Sequence, residues 1–259
     1  MSTLLLGIDI GTYESKGVLT TAEGQVVASA ATPHSLSLPR PGWAEHDAED
    51  VWWRDCVTLC RQLLAQSGAD PRAIAAIGVS AIAPCVLPID AAGRPLRPAI
   101  LYGIDTRASA EVAELERTLG RDAIFAVSAL HLSSQAAGPK ILWLRRHEPE
   151  VWARTATILT GSGYLVFKLT GERVLDRYTA TAYAPLFNMH TGEWSPIMAA
   201  AITPLERLPR LAWSIEVVGR VTPIAATETG LAAGTPVIAG PPTRPARLSA
   251  PAWPDPATS

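Results

Sequence analysis

Residues 9–17, which read DIGTYESKG, bring together side chains suited to binding phosphate and a metal ion. Asp9 interrupts an apolar run, and an unpaired carboxylate in a core is costly, so we expect it to face a cleft. Gly11 lets a phosphate approach the backbone, Thr12 adds a hydroxyl donor, and Asp9 can hold Mg²⁺ directly or through water. Lys16 is predicted to bind phosphate with them. The alternative for Asp9 is structural, as a cap that accepts a hydrogen bond from the Thr12 N–H.

The elements around this stretch predict how it is positioned. Residues 4–10 form an apolar run typical of a strand buried on both faces. Residues 15–30 predict two more strands around a turn at 23–24, and three strands joined by tight turns make an antiparallel meander. A long helix then begins after Asp47, its predicted N-cap, and ends at Gly68.

The rest of the chain mixes strands and helices. Residues 74–90 return to strand character, with a hairpin turn at 90–93. The later segments predict a helix at 107–120, a helix at 138–154 interrupted at Pro149, a short helix ending at Thr170–Gly171, and a buried strand at 236–239. This order fits an α/β fold better than a plain alternation of βα units.

The composition predicts a globular chain. Of the 259 residues, 48% are apolar and 18% are charged, which is enough apolar material for a sizeable core. The formal net charge of −2 provides no strong attraction to nucleic acid or acidic membranes. The N-terminus lacks the basic region of a signal peptide, and no apolar run approaches the roughly 18 residues of a membrane span. We therefore expect a cytoplasmic protein without nucleic-acid or membrane partners.

The three cysteines show neither a disulfide framework nor a metal-site spacing. Cys56 and Cys60 lie four residues apart on the predicted helix and could share a ligand. Burial as small apolar residues is the interpretation we favour.

An ordered set of segments resembles the FGGY family of carbohydrate kinases, which includes xylulokinase and glycerol kinase. The stretch GIDIGTYESKGVLTTAEGQVVASA resembles the opening of the family, and further segments follow in the same order. The matching segments are 7–30, 41–53, 76–108, 138–152, 164–172 and 231–240. Each motif is weak alone, and the ordered set is specific.

The resemblance implies two actin-like, ribonuclease H-like domains with a cleft between them. Residues 1–240 are then the N-terminal kinase domain, with a mixed sheet whose N-terminal part is an antiparallel meander flanked by helices. The implied reaction transfers the γ-phosphoryl group of ATP to a sugar or polyol hydroxyl with Mg²⁺. The first domain would carry the phosphate hairpin and most of the sugar site, and the second most of the ATP site.

The resemblance also assigns sugar-binding residues. Sugars bind through hydrogen bonds to hydroxyls and through an aromatic ring packed on the carbon face. Tyr102 lies where many relatives have Trp, and Asp105 and Arg107 supply an acceptor and donors suited to a polyol. The alternative for these two is a local ion pair that starts the next helix. Gln135 falls near another substrate position or is a solvated loop residue, and Asp176 matches an Asp of relatives or caps a helix.

Ala83 and Pro84 depart from the better-known members. Xylulokinase carries Met-His near this position of the substrate site, and glycerol kinase carries Arg-Glu. Neither pair of polar contacts exists here. The substitution predicts a substrate that is neither xylulose nor glycerol held by the same contacts.

The C-terminal stretch departs further. In the family, the strand that matches 236–239 leads into an Asp that acts as catalytic base, because a sugar hydroxyl is a poor nucleophile at neutral pH. The equivalent position here is near Thr243, which cannot take that proton, so we assign no catalytic residue. Residues 241–259 are Pro-rich without apolar periodicity, and we expect a disordered or loosely packed tail.

The second domain of the family has no counterpart in the sequence, so we expect this chain to be inactive alone. An apolar face left exposed by that domain is compatible with a homodimer. The codons that could encode residues 241–245, read two bases further on, can spell Ala-Asp-Ala-Ala. One hypothesis is therefore a frameshift near Gly240, and the other is a genuine short paralogue.

Three function classes remain in competition. The first is a sugar kinase represented by its N-terminal half, and the second is a sugar- or nucleotide-binding remnant without phosphoryl transfer. A scaffold with the actin-type fold is the third, and it would not need the segments LYGIDTR and GPKILW.

Overall fold

A six-stranded mixed sheet lies at the centre of the structure, a computed structural model that describes residues 3–240. Residues 241–259, the tail that we expect to be disordered or loosely packed, lie outside the described residues, and Thr243 is one of them. The strands are β1 Leu4–Ile10, β2 Glu14–Thr21, β3 Val26–Pro33, β4 Glu45–His46, β5 Ile74–Ala81, β6 Leu87–Ile89, β7 Ala99–Ile100, β8 Thr157–Leu159, β9 Val174–Asp176, β10 Phe187–Asn188, β11 Glu193–Trp194, β12 Arg210–Ala212, β13 Val217–Arg220 and β14 Pro236–Ile238.

Helices cover the sheet and build the rest of the chain. The α-helices are α1 Arg54–Ser67, α2 Ser109–Leu115, α3 Arg121–Ser128, α4 Ala137–His147, α5 Pro149–Arg154, α6 Gly161–Thr170, α7 Arg177–Ala180, α8 Pro196–Ile202 and α9 Pro223–Thr229. Two π-helical segments, Ala48–Trp53 and Glu116–Gly120, lead into α1 and α3. Within residues 3–240, none of the helices has the length and apolar character that crossing a bilayer requires.

The central sheet has the strand order β13-β14-β5-β1-β2-β3. β1 pairs antiparallel with β2, and β2 antiparallel with β3, which confirms the predicted meander. On its other side β1 pairs parallel with β5, and β5 pairs parallel with β14. The carboxyl ends of three strands therefore lie at one edge of the sheet.

Helix α1 packs on one face of the meander. The Asp47 carboxylate accepts hydrogen bonds from the N–H groups of Glu49 and Asp50, and Gly68 ends the helix with φ of 62°, as the sequence predicts. A Cβ at Gly17 of β2 would lie 2.9 Å from the side chain of Leu63, so the glycine lets helix and strand approach closely. Cys56 and Cys60 are buried in this interface as free cysteines.

A second apolar cluster lies outside the central sheet. It is built from α2, α3, α4, α8 and the short strands, with Tyr183, Ile141 and Leu144 fully buried. Trp43 and Trp143 meet there edge to face, with ring centroids 5.2 Å apart. The segment predicted to bind sugar contributes to both clusters, with Leu101 in the cluster of the sheet and Ile100 and Ala108 in this one.

The sequence locates most elements before residue 172 and few after it. The break between α4 and α5 falls at Pro149, and α6 ends at Gly171 with φ of 85°, as predicted. The turn at Asp90–Gly93 forms, and the returning segment pairs antiparallel through two isolated bridges, Ile89 with Pro95 and Val86 with Ile100 at the end of β7. Helices α3, α8 and α9 and strands β4 and β8 to β13 were not predicted, because their short segments show no clear periodicity.

We expect Leu59→Ala to lower the free energy of unfolding by about 2–5 kcal/mol, because this α1 side chain is fully buried against the sheet. Gln62→Ala, an exposed position on the same helix, should change it by less than about 0.5 kcal/mol. Urea unfolding followed by circular dichroism measures both. Equal losses in the two variants would show that α1 does not pack as described.

Candidate functional site

The candidate site lies where the carboxyl ends of parallel strands meet, the usual place for ligands in such sheets. The N–H of Ile82 donates to the carbonyl of Ile10 at 2.8 Å, so the segments that follow β5 and β1 are adjacent. The chain after β14 joins them, because a Cβ at Gly240 would lie 1.9 Å from the carbonyl oxygen of Val79. The three segments predicted to carry phosphate, sugar and base residues thus start from one edge.

The turn between β1 and β2 is closed by its own backbone. The N–H of Gly11 donates to the carbonyl of Glu14 at 2.9 Å. A Cβ at Gly11 would lie 2.7 Å from that carbonyl oxygen, so a larger residue would force the turn open. The predicted need for glycine at this position therefore has a steric reason in the protein itself, besides any approach of a phosphate.

Asp9 and Lys16 lie on the face of the sheet opposite α1 and line an open cleft of about 640 Å³. They are register partners across β1 and β2, and Asp9 is half-buried. The side chain of Lys16 is 65% exposed and pairs with Glu14 at 3.2 Å. The remaining lining is mostly small, with Gly7 and Gly78 side by side. The Asp9 carboxylate and the Lys16 ammonium thus both line a cleft of ligand size.

The hydroxyl groups of Thr12 and Tyr102 lie 3.0 Å apart and share a hydrogen bond. This contact joins the β1–β2 turn to the loop predicted to bind sugar. Gln135 is exposed next to that loop. A Cβ on Gly103 would lie only 2.0 Å from the Gln135 amide nitrogen, so the amide packs directly on this glycine. Ala83 is half-buried in the segment after β5. Thr12, Tyr102 and Gln135 therefore belong to one surface at the sheet edge.

Asp105 and Arg107 do not reach that surface. Both side chains are 0% exposed, and Arg107 Nη2 lies 2.7 Å from Asp105 Oδ2 and 2.8 Å from Glu45 Oε1. The guanidinium stacks over Trp43 with its Cζ 3.9 Å from the ring centroid. Asp105 also accepts from the N–H of Ala44 at 2.7 Å. The observed contacts are those of the alternative, an internal ion pair, and they do not support direct contact with a sugar.

Lys140 is a supporting residue that the sequence did not single out, although it lies in the matching segment GPKILW. Its buried ammonium donates to the carbonyls of Leu101 and Ser134 at 2.7 and 2.6 Å. These carbonyls belong to the residues just before Tyr102 and Gln135. A single ammonium group therefore connects the two loops that are predicted to bind sugar. Burial lowers the pKa of Lys140 to about 8, and Asp105 acts against that shift.

Two buried histidines lie behind the β1–β2 turn, and nothing in the sequence pattern pointed to them. His34 follows β3 and contacts Asp55 of α1 and the carbonyl of Gly11. The ring of His46 lies edge to face with that of His34, with centroids 5.1 Å apart, and its Nδ1 accepts from Trp52 Nε1 at 3.1 Å. Burial, and then the charge on His34, lower the pKa of His46 to about 4.

Asp176 caps a helix. Its Oδ1 accepts from the N–H of Thr179 at 3.0 Å at the start of α7, and from Ser214 Oγ at 3.2 Å. Burial raises the pKa of Asp176 above its ordinary value. Helix capping is the structural alternative that the sequence offers for Asp176.

Comparisons with known proteins agree with this architecture. The model of the FGGY family of carbohydrate kinases, N-terminal domain, matches residues 4–242. An L-xylulose/3-keto-L-gulonate kinase of Escherichia coli (strain K12) is 31% identical over 243 residues, which are 93% of this chain and 48% of that protein. A glycerol kinase of Methylorubrum extorquens (strain PA1) is 33% identical over 223 residues, which are 82% of this chain and 44% of that protein.

The structural comparison gives the same result. The crystal structure of xylulose kinase from Rhodospirillum rubrum matches with a TM-score of 0.86 at 33% identity, covering 92% of this chain and 49% of that one. This structure, together with those of a gluconate kinase and a further glycerol kinase, confirms the predicted actin-like ATPase fold. The chain spans about half the length of the curated relatives it matches. By the family match over residues 4–242, the chain belongs to the FGGY family of carbohydrate kinases, in the part that forms their N-terminal domain.

Proposed function

We propose that residues 1–240 form the phosphate-hairpin and sugar-binding half of an ATP-dependent sugar or polyol kinase. The observation that carries the proposal is the 3.0 Å contact between Thr12 and Tyr102. Phosphoryl transfer depends on positioning the donor phosphate and the acceptor hydroxyl together. A direct hydrogen bond between the β1–β2 turn and the loop of Tyr102 supports the proposal, because it would hold a bound phosphate and a bound sugar side by side.

The residues at the turn fit Mg²⁺ and the phosphates of ATP. Mg²⁺ in kinases is held by one or two carboxylates, waters and substrate phosphates. Among residues 3–240 no group of three or more His, Cys, Asp or Glu side chains could hold a metal ion alone, and Asp9 supplies a single carboxylate at the cleft. Gly11, Thr12 and Lys16 would bind phosphate beside it. The ion, when bound, neutralises charge on the transferred phosphoryl group.

The sugar would lie against Tyr102, with Gln135 and the backbone near Ala83 as further contacts. Tyr102 is half-buried, so part of its ring stays accessible to the carbon face of a sugar. Asp105 and Arg107 enter this proposal as supports of the loop that carries Tyr102. An apolar Ala83 removes a polar contact from the site, which favours a substrate other than xylulose or glycerol.

Phosphoryl transfer itself would need groups outside the described residues. A base for the attacking hydroxyl typically contributes about 10²–10⁴-fold, and Thr243 cannot act as one. The relatives also carry a second half to which this chain has no match. Because Thr243 lies near the position of the catalytic Asp that the resemblance implies, we keep a second candidate function. It is a binding module that holds sugar without transferring phosphate.

We expect no sugar-dependent ADP release from the purified 259-residue chain. Coupled measurement of ADP with a panel of ketoses and polyols checks this, with Asp9→Ala as the background control. Sugar-dependent turnover above that control would contradict the expectation and would mean that another residue replaces the base.

A protein in which residues 1–240 continue into a family-type second half should prefer a ketose or polyol other than D-xylulose and glycerol. The expected difference in kcat/KM is on the order of tenfold for each hydrogen bond that the site no longer makes. A substrate panel under identical conditions measures it. Efficient turnover of glycerol or D-xylulose would show that the argument from Ala83 is incorrect.

Arg107→Met should lower the free energy of unfolding by about 3–5 kcal/mol, because the buried Asp105 would lose its arginine partner and Glu45 would keep only its contact with Arg97. Arg94→Met is the matched control, since this arginine pairs with Asp90 at an exposed position and should cost less than about 1 kcal/mol. Urea unfolding reports both values. A stable Arg107→Met variant with weakened sugar binding would instead assign Arg107 to the substrate.

A further inference from the structure

A buried polar cluster connects the β1–β2 turn to helix α1. His34 Nδ1 lies 2.8 Å from Asp55 Oδ2, and Ser15 Oγ donates to the same oxygen at 2.8 Å. His34 Nε2 lies 3.2 Å from the carbonyl oxygen of Gly11. The side chains of His34 and Asp55 are 1% and 0% exposed, so water does not compete for these contacts. The backbone N–H of His34 also donates to the carbonyl of Tyr13 at 2.9 Å.

The partners of His34 determine where its protons lie. The Gly11 carbonyl can only accept a hydrogen bond, and so can an ionised Asp55 carboxylate. Each ring nitrogen must therefore donate, which requires the doubly protonated imidazolium. A neutral ring would leave one of the two contacts without its proton.

The surrounding charges agree with an imidazolium. Asp55 supplies the negative charge, and hydrogen bonds from His34, Ser15 and Arg54 lower its pKa against the effect of burial. The charged groups facing the ring come from α1, and the remaining neighbours are Ser15 of β2 and His46 of β4. His46 accepts from Trp52 through Nδ1 and lies beside the ring as a neutral imidazole.

The contact with Gly11 fixes the plane of the peptide between Gly11 and Thr12. A trans peptide is planar, and its C=O and N–H point in opposite directions. When His34 holds the Gly11 carbonyl on the α1 side of the turn, the Thr12 N–H must point away from His34. We propose that His34, charged by Asp55, is a positioning residue that sets the direction of the Thr12 amide donor in the β1–β2 turn. Its importance for phosphate binding rests on the proposed function, but the geometry of the turn does not.

Nitrogen-15 NMR of the His34 ring in the full 259-residue chain tests the protonation state directly. We expect Nε2 of His34 to carry the proton that it donates to the Gly11 carbonyl, while His46 shows a single neutral tautomer protonated at Nε2. An unprotonated Nε2 on His34 would overturn the proposal, and this measurement needs no variant to fold.

Two substitutions separate the contacts of the ring. The amide nitrogen of Gln reaches the place of Nε2, so His34→Gln retains a donor to Gly11 and gives up the one to Asp55. Asn reaches the place of Nδ1, so His34→Asn retains the donor to Asp55 and gives up the one to Gly11. Amide hydrogen exchange at Gly11, whose N–H closes the turn, should be at least tenfold faster in His34→Asn than in His34→Gln. Equal exchange in the two variants, or faster exchange in His34→Gln, would show that the role is only to pair Asp55.

Titration of Mg²⁺-ATP links the turn to phosphate. In the natural sequence we expect the Thr12 amide resonance to shift with added nucleotide, and in His34→Asn the same shift should need at least tenfold more. If the natural chain shows no shift at Thr12, the proposed phosphate site fails while the ring protonation and the exchange data still decide the role of His34. A shift of equal midpoint in both proteins would contradict the positioning role for phosphate binding.

Discussion

The parallel pairing of β1 with β5 is the constraint on which the rest of the structure depends. It places the residues after Ile10 beside those after Ala81, and the pairing of β5 with β14 brings the chain at Gly240 to the same edge. Alternation along β1 then sends the buried Leu6, Ile8 and Ile10 toward α1 and Asp9 to the opposite face. A site assembled from segments more than 200 residues apart in sequence thus follows from the register of three neighbouring strands.

Buried ionic groups hold the loops of the site, and each is paired because an isolated charge in a core is costly. Arg107 is enclosed by two carboxylates and two tryptophan rings, with its Cζ 3.9 Å from the centre of Trp43 and 5.1 Å from that of Trp143. Lys140 binds backbone carbonyls, and His34 binds one carbonyl and one carboxylate. Lys140 and His34 thus contact main-chain carbonyls of the loops, whereas Arg107 pairs with side-chain carboxylates.

Local signals predicted the meander, the caps of α1 at Asp47 and Gly68, and the break at Pro149, because each depends on residues close in sequence. The position of the β1–β2 turn also followed from its own nine residues, while its role in phosphate binding stays a prediction. The burial of Arg107 could not be predicted, since Trp43 and Trp143 enclose it from distant segments. His34 was missed for a similar reason, because its ring meets Gly11 across 23 positions of the chain and no motif marks the pair.

Contact between Gly103 and the amide of Gln135 has an evolutionary consequence. A side chain of any size at position 103 would occupy the space that the amide fills, since the two would be only 2.0 Å apart. Because Gln135 is exposed and the contact is with the far end of its side chain, the amide can turn away when position 103 carries a larger residue. A substitution at 103 alone would therefore redirect the polar group that position 135 presents at this surface.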